Sequence, residues 1–309
     1  MSKSAQEHNR ITQYLDVLRT QRHLSPHTVS SYQLDLTDLE VFSGEKNVAE
    51  LTYFDLRRLT SLQHAQGLSA RSIARKLSSW RGFYRWLAEQ VTLVANPVDG
   101  IKAPKKVKSL PKALGADDAV RLVSHKGVQE PTPCANRAMF ELLYSSGLRV
   151  SELTALDIAD SKEPGYASLG WVDMAQGEVH VTGKGNKQRI VPVGKPALDA
   201  LRDWLVVRPQ LVRADPHPLF VTERGTRMSV RLVQLRLKAH AQSVGIPADV
   251  HPHVLRHSFA SHVLQSSGDL RAVQEMLGHS SIAATQVYTS LDFQHLAKVY
   301  DATHPRAKK

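Results

Sequence analysis

His251-Pro252-His253-Val254-Leu255-Arg256-His257 is the stretch from which the rest of the chain is best read. Proline is well tolerated at the first position of a helix, so Pro252 predicts a helix start. On that helix His253, Arg256 and His257 share one face at spacings of three and four, while His262 points elsewhere and reads as structural. Two histidines four apart can hold zinc, so a zinc hydrolase built on His251, His253 and His257 is one reading. Arg256 on the same face opposes a dication, and the stretch offers no carboxylate as third ligand or base. An anion suits these residues better. Arginine clamps a phosphate with two parallel hydrogen bonds, and imidazoles donate or relay protons. The stretch therefore predicts a phosphate-handling helix face rather than a metal site.

The wider composition agrees with an anionic partner. The 309 residues carry a formal charge of +11, with a pI near 9.8. Between Arg57 and Lys112 twelve Lys and Arg face two acids, Glu89 and Asp99. Such concentration points to a nucleic-acid surface rather than scattered solubility charge. A hydrophobic share of 42% fits a globular chain. No apolar run approaches the roughly 18 residues of a membrane span, and Met1 to Arg10 lacks a signal-peptide core, so a cytoplasmic location is expected. The lone Cys134 excludes an intrachain disulfide and reads as a small buried side chain.

The first hundred residues read as four helices: Ser4 to Thr20, one from Ser25-Pro26 to Phe42, one from Thr52 to Gly67, and one from Ser69 to Glu89. On the last, Ile73, Leu77, Trp80, Phe83, Tyr84 and Leu87 form an apolar stripe. Arg71, Arg75 and Arg85 lie opposite, with Arg81 at the edge. The helix itself supplies no acid to that stripe, so a phosphate backbone is its expected partner. Asn96 to Lys112 is rich in proline and lysine and predicts a basic linker, with Lys105, Lys106 and Lys108 beside DNA. The expected domains are 1–95, a linker at 96–112, and 113–309. In the last, Glu178–Thr182 and Gln188–Val193 predict a hairpin closed by 183–187. Helices are expected near Ala135–Tyr144, Pro196–Val207, Ser229–Val244, His253–Gln265 and Asp269–Leu277.

Three further pieces are weak singly. Arg149 stands in Ser146-Gly-Leu-Arg-Val-Ser-Glu-Leu153, where capping by Ser151 and a surface charge would be the plain reading. Lys184 sits in a glycine-flanked turn, and Leu277-Gly-His279 ends a helix nine residues before Tyr288. Taken in order, G-L-R-x-S-E-L, G-K-G, H-x-L-R-H, L-G-H and the following tyrosine resemble the tyrosine recombinases, the family that includes the phage integrases.

The resemblance implies a mainly α fold with a small antiparallel sheet, its two domains closing as a C-shaped clamp on double-stranded DNA. The first domain would be a core-binding, SAM-like DNA-binding domain. Arg149, Lys184, His253, Arg256 and His279 would form the active site. Tyr288 would be the nucleophile, forming a 3′-phosphotyrosyl DNA intermediate with no cofactor. The closing Leu291–Asp301 and His304–Lys309 resemble the branch that resolves chromosome dimers. That implies a second recombinase in a heterotetramer, a DNA translocase as regulator, and a C-terminal segment docked on a neighbour. A phage or transposon integrase acting on another site, or a non-cleaving DNA-binding protein of the same fold, would fill much of the pattern too. Residues 159–175 look like an insertion in the family's pattern, and their composition predicts a surface loop.

Overall fold

The computed structural model describes residues 3–105, 113–124, 130–183, 187–246, 249–278 and 304–306, with backbone only for 3–8. The chain divides into two units, Met1–Ser109 and Leu110–Lys309. No described helix is long and apolar enough to cross a membrane.

In the first unit the helix starts follow from their capping residues. Behind α1 (Lys3–Thr20), Ser25 accepts from the Thr28 N–H at 3.2 Å to open α2 (Pro26–Ser43). Thr52 and Asp55 cap α3 (Tyr53–Ala65) reciprocally, and Ser69 caps α4 (Ala70–Leu87). The expected stripe of α4 is buried, joined by Trp86. It meets Ile11, Tyr14, Leu15 and Leu18 of α1 and Leu36 and Leu39 of α2 in one core. Polar tips of this stripe are satisfied: Trp80 donates to the Asp35 carbonyl at 2.7 Å and Tyr84 to that of Val48 at 2.8 Å.

The second unit is built around α6 (Pro131–Ser146), whose last nine residues are all buried. Against it pack α5 (Ala116–Val123), α8 (Lys195–Val207), α9 (Val230–Ser243) and α10 (Pro252–Ser267). The short α7 (Val150–Ala155) follows α6 directly, and α11 (Leu270–Leu277) follows α10. Cys134 is only half-buried at the edge of this core.

The loop expected over 159–175 is corrected by the structure. Lys162–Glu163 (β1) and Tyr166–Ala167 (β2) pair with each other. Gly170–Asp173 (β3) then joins β4 (Glu178–Thr182) and β5 (Gln188–Pro192), so the expected hairpin is part of a three-stranded antiparallel sheet. Burial supplies the reason. Val172 lies opposite Val179, and Trp171 stacks on His180 with ring centroids 4.6 Å apart. The β1–β2 hairpin is anchored by one polar knot. The Tyr166 hydroxyl donates to the buried Asp157 carboxylate at 2.7 Å, and Arg227 donates to the same carboxylate at 2.6 Å.

Candidate active site

Gly147 ends α6 in the left-handed region at φ 56°, and a Cβ there would stand 2.4 Å from Phe259. Only glycine meets both demands. The chain turns and enters α7 at Arg149. The capping partner is Glu152, not the Ser151 of the plain sequence reading: the Arg149 N–H donates to Glu152 Oε2 at 2.8 Å. The Arg149 side chain returns to the same carboxylate, Nη1 to Oε1 at 2.7 Å.

Glu152 is the hub of a larger cluster. Arg189 of β5 grips it with two parallel bonds, Nη1 to Oε1 and Nη2 to Oε2, both 2.8 Å. Arg256 of α10 lies 4.0 Å from Oε2. All three arginines also reach the end of α11, whose last carbonyls have no partner within the helix. Arg189 Nε donates to the Met276 carbonyl at 2.9 Å, Arg256 Nη2 to Leu277 at 2.5 Å, and Arg149 Nη2 to Gly278 at 3.2 Å. Arg256 Nη1 closes the frame on the Gly147 carbonyl at 2.6 Å. A helix C-terminus carries partial negative charge, so it suits three guanidiniums.

Electrostatics distinguish the members. Burial alone would raise the Glu152 carboxyl, but hydrogen bonds and charge from Arg189, with bonds from Arg149, hold it down at about 2. Burial, with repulsion from Arg149, lowers Arg256 to about 10, so it stays cationic at neutral pH. Three guanidiniums against one carboxylate leave the cluster net positive. Arg149 keeps a third of its side chain exposed while Arg189 is sealed, 33% against 4%. The arrangement can receive an anion beside Arg149 and Arg256 without paying to assemble the positive field.

His253 and His257 are exposed on α10, whereas Arg256 between them is buried, so the shared face is split between solvent and the cluster. His262 is buried, with Nδ1 2.9 Å from the Tyr144 hydroxyl and Nε2 3.0 Å from the Leu114 carbonyl. Among the described residues no three His, Cys, Asp or Glu side chains group as a metal site would need, the set at His251, His253 and His257 included. Lys184, His279 and Tyr288 lie outside the described residues, as do Lys106 and Lys108. His279 is the residue after Gly278, on which Arg149 closes.

Of the tail expected to dock on a neighbour, His304–Arg306 are described, and they lie on this chain's own second unit. His304 is buried between the Tyr144 and Phe259 rings, and Arg306 pairs with the buried Glu141.

The arginine stripe of α4 also needs correcting. Its charges were expected to lack compensation, but acids from other elements reach two of them. Arg75 pairs with the buried Asp35 of α2, and Arg81 lies 3.5 Å from Asp99. Arg71 and Arg85 are exposed, as is Lys105.

Sequence reasoning missed Glu152 and Arg189 as members of the cluster. A signal was present for Arg189. It lies two residues before Val191 and so on the buried face of β5, where an arginine requires a carboxylate partner.

Comparison with known proteins identifies the family. Residues 112–295 match the model of the Phage integrase family, and residues 11–90 that of the Phage integrase N-terminal SAM-like domain. Tyrosine recombinase XerC 1 of Ralstonia nicotianae is 53% identical, the match covering 99% of this chain and 96% of that protein. Tyrosine recombinase XerC of Alcanivorax borkumensis is 48% identical over 97% of this chain and 94% of its own. Among solved structures, the XerH site-specific recombinase bound to palindromic difH substrate in a post-cleavage complex has a TM-score of 0.63 at 20% identity, covering 94% of this chain and 84% of that one. A lambda integrase dimer bound to a COC′ core site gives 0.67 at 18%, covering 94% and 76%. The chain belongs to the phage integrase family and is a site-specific tyrosine recombinase, an enzyme that cuts and rejoins DNA.

Proposed function

We propose that Arg149, Lys184, His253, Arg256, His279 and Tyr288 are the residues that cut and rejoin DNA in this chain. The convergence of Arg149 and Arg256 on Glu152 and the end of α11 is the observation that carries this reading. A phosphodiester is anionic, and its charge grows as the tyrosine oxygen attacks. Arg149 and Arg256 neutralise the non-bridging oxygens, each contributing on the order of 2–4 kcal/mol in the transition state. A phenol of pKa about 10 must lose its proton, and the exposed His253 accepts it. Lys184 protonates the leaving 5′-oxygen, and His279 orients the phosphate or Tyr288. The 3′-phosphotyrosyl link conserves the bond energy, so rejoining draws on neither ATP nor a metal.

The first unit is the core-binding domain and the second the catalytic one, joined by a basic linker. DNA is held by Arg71, Arg75, Arg81 and Arg85 with Lys105, Lys106 and Lys108; of the α4 arginines, Arg71, Arg75 and Arg85 are exposed, and Arg75 is paired with Asp35. The XerC relatives support a finer role: recombination at a dif-like site together with a XerD-like recombinase in a heterotetramer, resolving chromosome dimers at cell division in the cytoplasm. A translocase like FtsK would regulate it. The test is a nicked suicide duplex of that site, incubated with the full chain with and without the XerD-like partner. A covalent protein–DNA adduct that Tyr288→Phe abolishes is expected. Equal absence of adduct in both proteins contradicts the reading.

A further inference from the structure

We propose that Arg189 is a positioning residue for DNA cleavage: it ties Glu152 and the end of α11 into one frame that aims Arg149 and Arg256. The inference rests on the reading of those two arginines as phosphate clamps. Arg189 itself cannot touch DNA, because its side chain is 4% exposed and Nε, Nη1 and Nη2 are each committed inside the protein. Its bonds lie on two separate elements, and both hold the clamps. Glu152 receives the backbone N–H and Nη1 of Arg149. The Met276 carbonyl, held by Arg189 Nε, directly precedes the Leu277 carbonyl that takes Arg256 and the Gly278 carbonyl that takes Arg149. The two elements approach closely at this residue, since a Cβ on Gly278, itself at φ 61°, would stand 3.1 Å from Arg189 Cδ.

A planar fork is required for this work. A lysine ammonium is a point charge and cannot fix the plane of the Glu152 carboxylate while also holding Met276. Stability does not explain the choice well, because a buried ion pair is often matched by apolar residues of similar volume. Without Arg189, Glu152 would be left with Arg149 as its one hydrogen-bonded cation, and nothing would fix the plane of the carboxylate against which that guanidinium is set. Arg189 also ties β5, which begins four residues after Lys184 in the chain, to the same frame.

The experiment is single-turnover cleavage of the nicked dif-like duplex by full-length Arg189→Lys, with DNA affinity and melting temperature measured in parallel. Affinity is expected to stay within about threefold of wild type. The cleavage rate should fall on the order of 10²-fold, the scale of a misplacement of about 1 Å. The acid limb of the pH–rate profile should move to higher pH, since Glu152 loses its strongest hydrogen-bond partner. Combining Arg189→Lys with Arg149→Lys should cost clearly less than the product of the single effects, because Arg189 acts in part through Arg149. Wild-type cleavage by Arg189→Lys, or fully multiplicative effects in the double variant, would overturn the proposal. If Arg189→Lys does not fold, Glu152→Gln/Arg189→Met removes both charges. Slow cleavage by that folded variant supports the proposal, and a wild-type rate overturns it. No adduct from wild type, or an adduct surviving Tyr288→Phe, counts instead against the parent reading.

Discussion

In the proposed reading two sets of arginines meet DNA, and their surroundings differ. On α4, Arg71 and Arg85 stand in solvent, and Arg75 and Arg81 are partly offset by Asp35 and Asp99. In the second unit Arg189 and Arg256 are buried; Arg149 and Arg189 are bonded to Glu152, Arg256 lies 4.0 Å from it, and all three donate to backbone carbonyls. The first set can follow a phosphate backbone and exchange it for salt. The second is locked before DNA arrives, so it can favour one geometry of one phosphate. Charge count alone does not distinguish binding arginines from arginines that act on the reacting phosphate. Burial and acceptor geometry do.

The largest expected effect tests the buried set. Arg256→Lys retains charge but loses the fork that spans the Gly147 and Leu277 carbonyls, so single-turnover cleavage should drop on the order of 10²–10³-fold with little change in DNA affinity. An equal loss in affinity and rate would erase the distinction between the two sets. Glu152→Gln comes next. Removing the carboxylate leaves buried guanidiniums uncompensated, costing about 3–5 kcal/mol of unfolding stability in the second unit, readable by denaturant titration. The same group carries a pH signature. Its folded value of about 2 lies below the ordinary 4.5, so its stabilisation is fully present above pH 4.5 and is lost as pH falls toward 2. Melting of the wild type should fall steeply through that window, and Glu152→Gln should flatten the dependence.

Smaller effects belong to the exposed set. Arg71→Ala/Arg85→Ala should weaken binding uniformly across sequences and reduce the slope of log affinity against log salt by about 2, leaving the cleavage step unchanged. An unchanged slope would remove α4 from the interface. Smallest of all, Tyr166→Phe should cost about 1 kcal/mol by removing the hydroxyl's bond to Asp157, without altering cleavage.

What could be read from residues alone follows the physics of each element. α4 was legible because its apolar stripe repeats at the helical period over eighteen residues. The β4–β5 pair was legible from its valines and isoleucine and from the glycine-rich turn. By contrast β3 spans four residues beside Pro164-Gly165, and only pairing with β4 makes it a strand. α5 and α7, eight and six residues long, give periodicity little to register, whereas the equally short α11 was marked by the glycine that ends it. Arg149 and Arg256 were recognisable from their motifs. Their convergence was not, because Glu152, Arg189 and the carbonyls of α11 meet only through tertiary packing. The compensation of Arg75 was hidden for the same reason: Asp35 belongs to another helix.

In the proposed reaction the Tyr288 oxygen takes a DNA phosphate held by the arginine frame. Trapping the adduct on the nicked duplex, digesting it with nuclease and protease, and locating the remaining nucleotide by mass spectrometry tests this most directly. The 3′-phosphonucleotide is expected on Tyr288, absent in Tyr288→Phe and formed far more slowly in Arg256→Lys. A nucleotide attached to another residue, or an adduct whose rate ignores Arg256, would contradict it.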